Sequence, residues 1–362
     1  MTLATPFKVH RQAGGGAPPD APEWQRVEPS GQRGPRRSAA EPPLAHGRAG
    51  FRGARRAYRR SRGEAVIETA LRLNGYAAVI LIALIFLFLF KEGLQALFKI
   101  PLGEFIGTTV TDYRGYPKTV RLWQPVGGDP KYSLLPLFCG SFLVALPATL
   151  IAGVLGVACG IYLAELAAAR TREVVKPFIE LLAGIPTVVI GFLCLATLGT
   201  AMQNLLGTTF RLNAFLGAIG VALVIVPVIA SLTEDALRAV PNELRVASYG
   251  LGSTRWQTIA RVTVPAAVSG ISAALILGMG RALGETMIVL MATGNAALIT
   301  LDVFSSVRTM TATIAAELGA VAQGGAQYQA LFLVGAILFT ITFALNVVAE
   351  LVIARMRRRL VL

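Results

Sequence analysis

From Leu134 to Ala164 the chain runs without one charged residue, and a second uncharged run extends from Gly184 to Phe210. A hydrocarbon environment offers no water to bond backbone N–H and C=O groups, so apolar runs of this length point to helices that satisfy themselves. Comparable runs centre on Tyr76–Phe90, Ala214–Leu232, Val262–Met291 and Ala330–Ile353, making about six spans. With 54% hydrophobic and 15% charged residues, the chain is too apolar for an ordinary soluble domain. The fold class expected is an all-α polytopic membrane protein.

The charge pattern says where the chain meets water. Residues 1–62 are rich in Arg, Pro and Gly and hold almost no aliphatic run, which predicts a disordered basic tail; residues 63–362 form the membrane domain. The net charge of +14 could suggest nucleic acid. Its basic residues instead flank apolar runs, as in Arg52, Arg55, Arg56, Arg59, Arg60 and Arg62, so the expected partner is membrane lipid and not nucleic acid. The tail, the Arg170–Lys176 turn, the Arg238–Arg261 segment and Arg357–Arg359 fall on one side of an even number of spans. That bias predicts two cytoplasmic termini. Residues 99–132 read as an extracytoplasmic loop or small cap punctuated by Pro and Gly. Gly153, Gly156 and Gly160 are expected to bring a neighbouring helix close, and the third span to begin near Pro177 and open at Gly184-Ile-Pro186.

Catalytic patterns are missing from the sequence. It has no Gly-Lys dipeptide, so a phosphate loop of the Walker type cannot be built. Both histidines, His10 and His46, lie in the tail, and Cys139, Cys159 and Cys194 stand singly, so no metal or redox pair is expected. The chain is expected to bind no cofactor and to be no enzyme.

Two polar features remain. Residues 234–261 are too polar to cross a membrane, and Pro241, Gly250, Gly252 and Pro265 divide the stretch into two short helices around a glycine break. Further on, Arg281 and Glu285 interrupt the fifth apolar run. A charge near the centre of a span costs about 2.5–3.5 kcal/mol on insertion scales, so two of them imply a watery route or a protein partner. Their i,i+4 spacing lets them pair on one face, either as a neutralised pair that fixes packing or with Arg281 exchanging Glu285 for a passing oxyanion. Thr286, Thr293 and Asn295 are weaker candidates for polar lining.

The spacing of Ala247, Gly252, Val262 and Pro265 resembles the loop by which importer permeases of the ABC superfamily dock their ATPase. Gly280-Arg281-Ala-Leu-Gly284-Glu285-Thr286-Met and Gly294-Asn295 resemble the phosphate-specific permeases of the PstC/PstA pair, closer to PstC. Phe105-Ile-Gly-Thr, Ile161-Tyr-Leu-Ala-Glu165 and Leu345-Asn346-Val-Val-Ala-Glu350 fit the same comparison. The resemblance implies a type I ABC importer permease in the bacterial inner membrane, forming half of a pathway for inorganic phosphate. It implies a PstA-like second permease, a PstB-like ATPase dimer that uses the ATP, and a PstS-like extracytoplasmic binding protein. It puts Glu243, Arg245, Ala247, Gly252, Arg255 and Pro265 in the docking site, and Arg281, Glu285, Thr286 and Asn295 on the substrate pathway. The pattern departs from the family at Val246, where a Glu is usual, and at Ser248, where a second Ala is usual. Glu243, one turn back, is expected to substitute for the missing carboxylate. An importer for sulfate or molybdate, an ion-coupled carrier using Glu180, Arg281 and Glu285 as a relay, and a docking scaffold stay open.

Overall fold

The computed structural model describes residues 62–111 and 117–360. The expected tail lies outside them except for Arg62, as do residues 112–116 of the loop. Among the described residues, six helical segments are long and apolar enough to cross a membrane: Val66–Lys99, Leu135–Leu166, Thr187–Leu206, Ala214–Arg238, Arg255–Gly284 and Ala326–Arg355.

Helix α1 (Arg62–Lys99) leads through a 3-10 turn at Leu102–Phe105 into two antiparallel hairpins. In the first, β1 (Thr108–Thr111) pairs with β2 (Pro117–Val120), and in the second β3 (Trp123–Gln124) pairs with β4 (Lys131–Tyr132). Trp123 and Tyr132 meet edge to face, with ring centroids 6.0 Å apart. They are buried with Phe105, Leu137, Met310 and Leu331 in a small core beneath the hairpins. The loop expected at 99–132 is therefore a folded cap.

Helix α2 (Leu135–Ile161) turns its smallest residues to one side. Ala145, Ala148, Ala152, Gly156 and Gly160 are all buried, recurring every three or four residues as a single helix face requires. That face packs along α6 (Ala214–Arg238), where Ala218, Ala222, Ile225, Ile229 and Ala230 are buried. The backbones come close because no side chain holds them apart. A Cβ on Gly156 would lie 2.8 Å from Ile229 Cβ, and one on Gly160 would lie 2.8 Å from the Ala230 carbonyl oxygen. At the start of α6, the buried Asn213 caps the helix by accepting from Leu216 N at 2.9 Å.

The third span differs from expectation. Pro177 sits inside a separate helix, α3 (Ala169–Gly184), which buries none of its residues. The chain then turns extended at Ile185 and Pro186, and the span begins with α4 (Thr187–Leu193) and ends with α5 (Gly199–Leu206). The signal for this was present: Val174, Phe178 and Leu181 recur at helical spacing, with Arg172 and Glu173 before them and Lys176 and Glu180 between them. That is the pattern of an amphipathic helix, not of a span.

After α6, α7 (Asn242–Gly250) and the single turn α8 (Arg255–Thr258) form the expected helix pair. Gly252 between them has φ +83°, a conformation that favours glycine. The chain continues as α9 (Val264–Gly284), α10 (Met287–Ala292), α11 (Met310–Glu317) and α12 (Ala326–Leu360). Wide π-helical turns interrupt two spans, at Cys194–Leu198 and Ile259–Thr263, and another, Tyr162–Leu166, ends the second span.

Candidate functional site

The fifth apolar run does not continue to Met291 as one helix. Helix α9 stops at Gly284, and Glu285 is extended with φ −68° and ψ 134°. The expected pairing of Arg281 with Glu285 therefore fails: the break carries Glu285 away from the face it would share with Arg281. Glu285 Oε1 instead accepts from Thr286 N at 3.1 Å and Met287 N at 3.2 Å, satisfying the first free amides of α10. Its own carbonyl accepts from Thr311 Oγ1 at 2.6 Å. The Thr286 hydroxyl bonds back to the Gly284 carbonyl at 3.3 Å.

Asn295 closes the other end of α10. Its Nδ2 donates to the Leu290 carbonyl at 2.7 Å, and it follows Gly294 into the left-handed region with φ 57°. Three of the four expected pathway residues, Glu285, Thr286 and Asn295, thus shape a short broken segment. Thr293 is fully buried and bonds to Val289 O, which makes it a packing residue and not lining. Arg281 is different: it is exposed and, among the described residues, makes no hydrogen bond or ion pair. It points along the face of α9 that also exposes Leu277 and Gly284.

The large groove between α2 and α9, about 1060 Å³, is not an oxyanion route. Ile271, Leu275 and Met279 line it from the opposite face of α9, and it carries no charged residue. A second cavity of about 660 Å³ lies beneath the hairpins, where Asn295, Arg308 and Glu317 meet Trp123. There Arg308 Nη1 donates to Glu317 at 2.9 Å, and Trp123 Nε1 donates to the same carboxylate at 3.0 Å. This carboxylate ties the cap to α11.

At the other end of α2, the two loop helices are held by ionic contacts. Arg245 donates to Glu165 Oε1 at 2.7 Å, to the Val240 carbonyl at 2.7 Å and to the Leu237 carbonyl at 2.8 Å. Arg255 bonds to the Glu165 carbonyl. Both arginines were expected on the docking surface; both bond to Glu165 in the turn that follows α2, Arg245 half-buried there and Arg255 still exposed. Ser248 is buried and its Oγ lies 2.9 Å from Thr258 Oγ1, joining α7 to α8, which a second alanine at that position could not do. The outward surface consists of Leu244, Val246, Tyr249, Leu251 and Trp256, together with Glu243, Ala247 and Gly252. Pro265 is exposed on the first turn of α9.

Glu243 is exposed and has no ion pair among the described residues, so it is free to meet a partner one turn from Val246. If an ATPase docks on this surface, as the resemblance implies, Glu243→Ala is expected to weaken its retention on the purified permease about threefold to tenfold, the scale of one exposed charge-assisted contact. Unchanged co-purification and uptake would show that the carboxylate missing at Val246 is not replaced from Glu243.

A contact that sequence reading missed lies beside this loop. Glu234, expected at the loop's first position, sits inside α6 with no exposed surface, surrounded by Arg172, Lys176 and Arg238. Two of these cations come from α3. The one signal in the sequence was the i,i+4 pair of Glu234 with Arg238.

Residues 156–359 match the family model described as binding-protein-dependent transport system inner membrane component. The chain is 38% identical over 221 residues to a probable ABC transporter permease protein, YqgH, of Bacillus subtilis, covering 61% of this chain and 72% of that one. It is 34% identical over 260 residues to the phosphate transport system permease protein PstC of Mesorhizobium japonicum, covering 67% and 79%. It is also 32% identical over 257 residues to PstC 1 of Mycobacterium tuberculosis, covering 65% and 75%. Among solved structures, a chain of a bacterial ABC transporter involved in the import of the acidic polysaccharide alginate aligns with a TM-score of 0.52 at 17% identity. It covers 82% of this chain and 99% of that one, a likeness of fold.

Proposed function

The chain belongs to the family of inner membrane components of binding-protein-dependent transport systems, and from that premise we propose that it forms half of the transmembrane pathway of an ATP-driven importer of inorganic phosphate. The permease proteins named PstC, at 30–34% identity, support phosphate as the substrate. The observation that carries the site is Arg281, a charge near the end of an apolar helix, exposed and unpaired among the described residues. In a chain that crosses a membrane such a charge needs water or a protein partner. A second, PstA-like permease packed against this face would enclose Arg281 in a shared pathway, where its guanidinium offers a planar fork of donors to an oxyanion.

In this reading α7 and α8 receive a PstB-like ATPase dimer on the surface around Leu251 and Trp256. A PstS-like binding protein delivers phosphate at the hairpin end, and both termini are cytoplasmic. ATP is used by the partner, and this chain binds no cofactor. An ion-coupled relay is not assembled: Glu180 is exposed on α3, outside the spans, and Glu285 is engaged as a helix cap.

Phosphate uptake by vesicles containing the four-part assembly tests this. Arg281→Ala is expected to lower uptake about tenfold or more, the loss of one charge-assisted contact, without preventing assembly. Arg281→Lys recovers part of it, because a point charge cannot bond in a fork. Wild-type uptake by Arg281→Ala vesicles would remove Arg281 from the pathway. Uptake driven by an ion gradient with no ATPase present would overturn the importer itself.

A further inference from the structure

The clamp on Glu234 has a design beyond ordinary packing. Its carboxylate has no exposed surface, and each oxygen faces cations: Oε1 lies 3.0 Å from Arg172 Nε and 3.2 Å from Arg238 Nε, and Oε2 lies 3.1 Å from Lys176 Nζ. A buried carboxylate stripped of its partners is strongly destabilising. Here Arg238 sits on the same helix, four residues on, and stays with Glu234 whatever α3 does. Helix α3 can therefore leave and return without stranding a bare charge.

Helix α3 has few other holds. It buries none of its residues, and among the described residues its side chains make hydrogen bonds or ion pairs to the rest of the chain only through Arg172 and Lys176, both on Glu234. Its apolar side at Val175, Ile179 and Leu182 is only half-buried, so the fully buried contact that holds it is the charge on Glu234.

Its position links the two features already described. Glu234 lies one turn before the end of α6, and the carbonyls of Leu237 on α6 and of Val240 just after it hold Arg245 of α7. At its other end α3 passes through the extended residues Ile185 and Pro186 into α4. Helix α4 packs on α10, where a Cβ on Gly191 would lie 3.1 Å from the Met287 carbonyl oxygen. Met287 follows the Glu285 cap that marks the break beyond Arg281.

We propose that Glu234 is a positioning residue that couples ATPase docking to the substrate pathway, by clamping α3 to the end of α6 so that movement of α7 is carried through α3 to α4 and the break at Glu285. The proposal rests on the importer reading above. It assigns to the clamp a role in the yield of transport per ATP, not in binding phosphate or ATP.

The test uses the four-part assembly in vesicles, with ATP hydrolysis and inorganic phosphate uptake measured together. The Arg172→Gln, Lys176→Gln double variant leaves Glu234 paired with Arg238, so the chain is expected to fold. It should hydrolyse ATP within about twofold of wild type while uptake per ATP falls about tenfold, the range of a modest coupling free energy. Glu234→Gln should behave the same way. An Arg172→Lys, Lys176→Arg exchange, which keeps both charges, should restore most of the yield. Wild-type uptake per ATP in the double variant would overturn the proposal. So would parallel loss of hydrolysis and uptake with the ATPase no longer co-purifying, since that describes a brace for the loop alone. Should wild-type vesicles import sulfate and not phosphate, the phosphate reading falls, and the same ratio measured with sulfate still decides the coupling role.

Discussion

Replacing Arg245 by alanine is expected to abolish most uptake while leaving the spans inserted. Its guanidinium meets Glu165 Oε1 with two nitrogens, at 2.7 and 3.3 Å, and fills the carbonyls of Leu237 and Val240 at the end of α6. Truncation leaves Glu165, whose side chain is 8% exposed, without its guanidinium, and leaves two helix-end carbonyls without their donor. Removing one partner of a buried pair costs about 3–5 kcal/mol; partial solvation of Arg245 puts this case near about 3 kcal/mol. That is enough to free α7 from α2 but not to unfold helices buried elsewhere. The expected results are a permease extracted in normal amount, loss of ATPase co-purification, and uptake reduced about a hundredfold. Arg245→Lys should recover little, because one ammonium cannot reach a carboxylate and two carbonyls together. Full uptake by Arg245→Ala would mean that the loop holds its shape through Ser248, Thr258 and Arg255 alone.

Gly160→Leu is expected to prevent folding altogether. At Gly160 a first side-chain carbon would already lie 2.7 Å from Thr233 Cβ and 2.8 Å from the Ala230 carbonyl oxygen, and backbone cannot step aside as a side-chain tip can. Overpacking usually costs about 1–3 kcal/mol and more where backbone must move, and a leucine here has to part α2 from α6. The damage would spread to Glu165, in the turn after α2, and to Glu234 on α6, which lie just beyond this crossing. Thermal unfolding of the detergent-extracted chain measures the effect: Gly160→Ala should unfold several degrees earlier, and Gly160→Leu should yield no folded material. Gly184→Ala is the control, since a Cβ there meets nothing within 4 Å. Equal stability of all three would show that α2 and α6 do not depend on close approach.

Much of the architecture was legible because the membrane reading needs only local pattern. Uncharged runs locate spans, and Gly156 and Gly160 declare a close contact without naming the partner helix. The pair of loop helices was legible too, since Pro241, Gly252 and Pro265 punctuate locally. What failed was direction. Arg245, Arg255 and Arg261 look alike in the sequence, and Arg245 turns inward only because Glu165 lies 80 residues earlier on a helix that ends beside it. Arg281 and Glu285 satisfy every local rule for an i,i+4 pair, yet Glu285 caps the amides of α10, and that choice depends on the break after Gly284. Glu234 was hidden for the same reason: two of its three partners belong to α3, a helix first read as the mouth of a span.

The π-helical turns at Cys194–Leu198 and Ile259–Thr263, each with α-helix on both sides, bear on how chains of this kind can change length. Each holds one residue beyond the α-helical count, absorbed locally so that the helix faces on either side keep their directions. Losing a residue there would close the turn into ordinary helix and leave both flanks facing as before. The same deletion elsewhere in a span would swing everything after it by about 100°, the α-helical step per residue, and turn a buried stripe toward lipid. These two turns are therefore places where insertions and deletions between relatives can accumulate inside a span without cost to the fold.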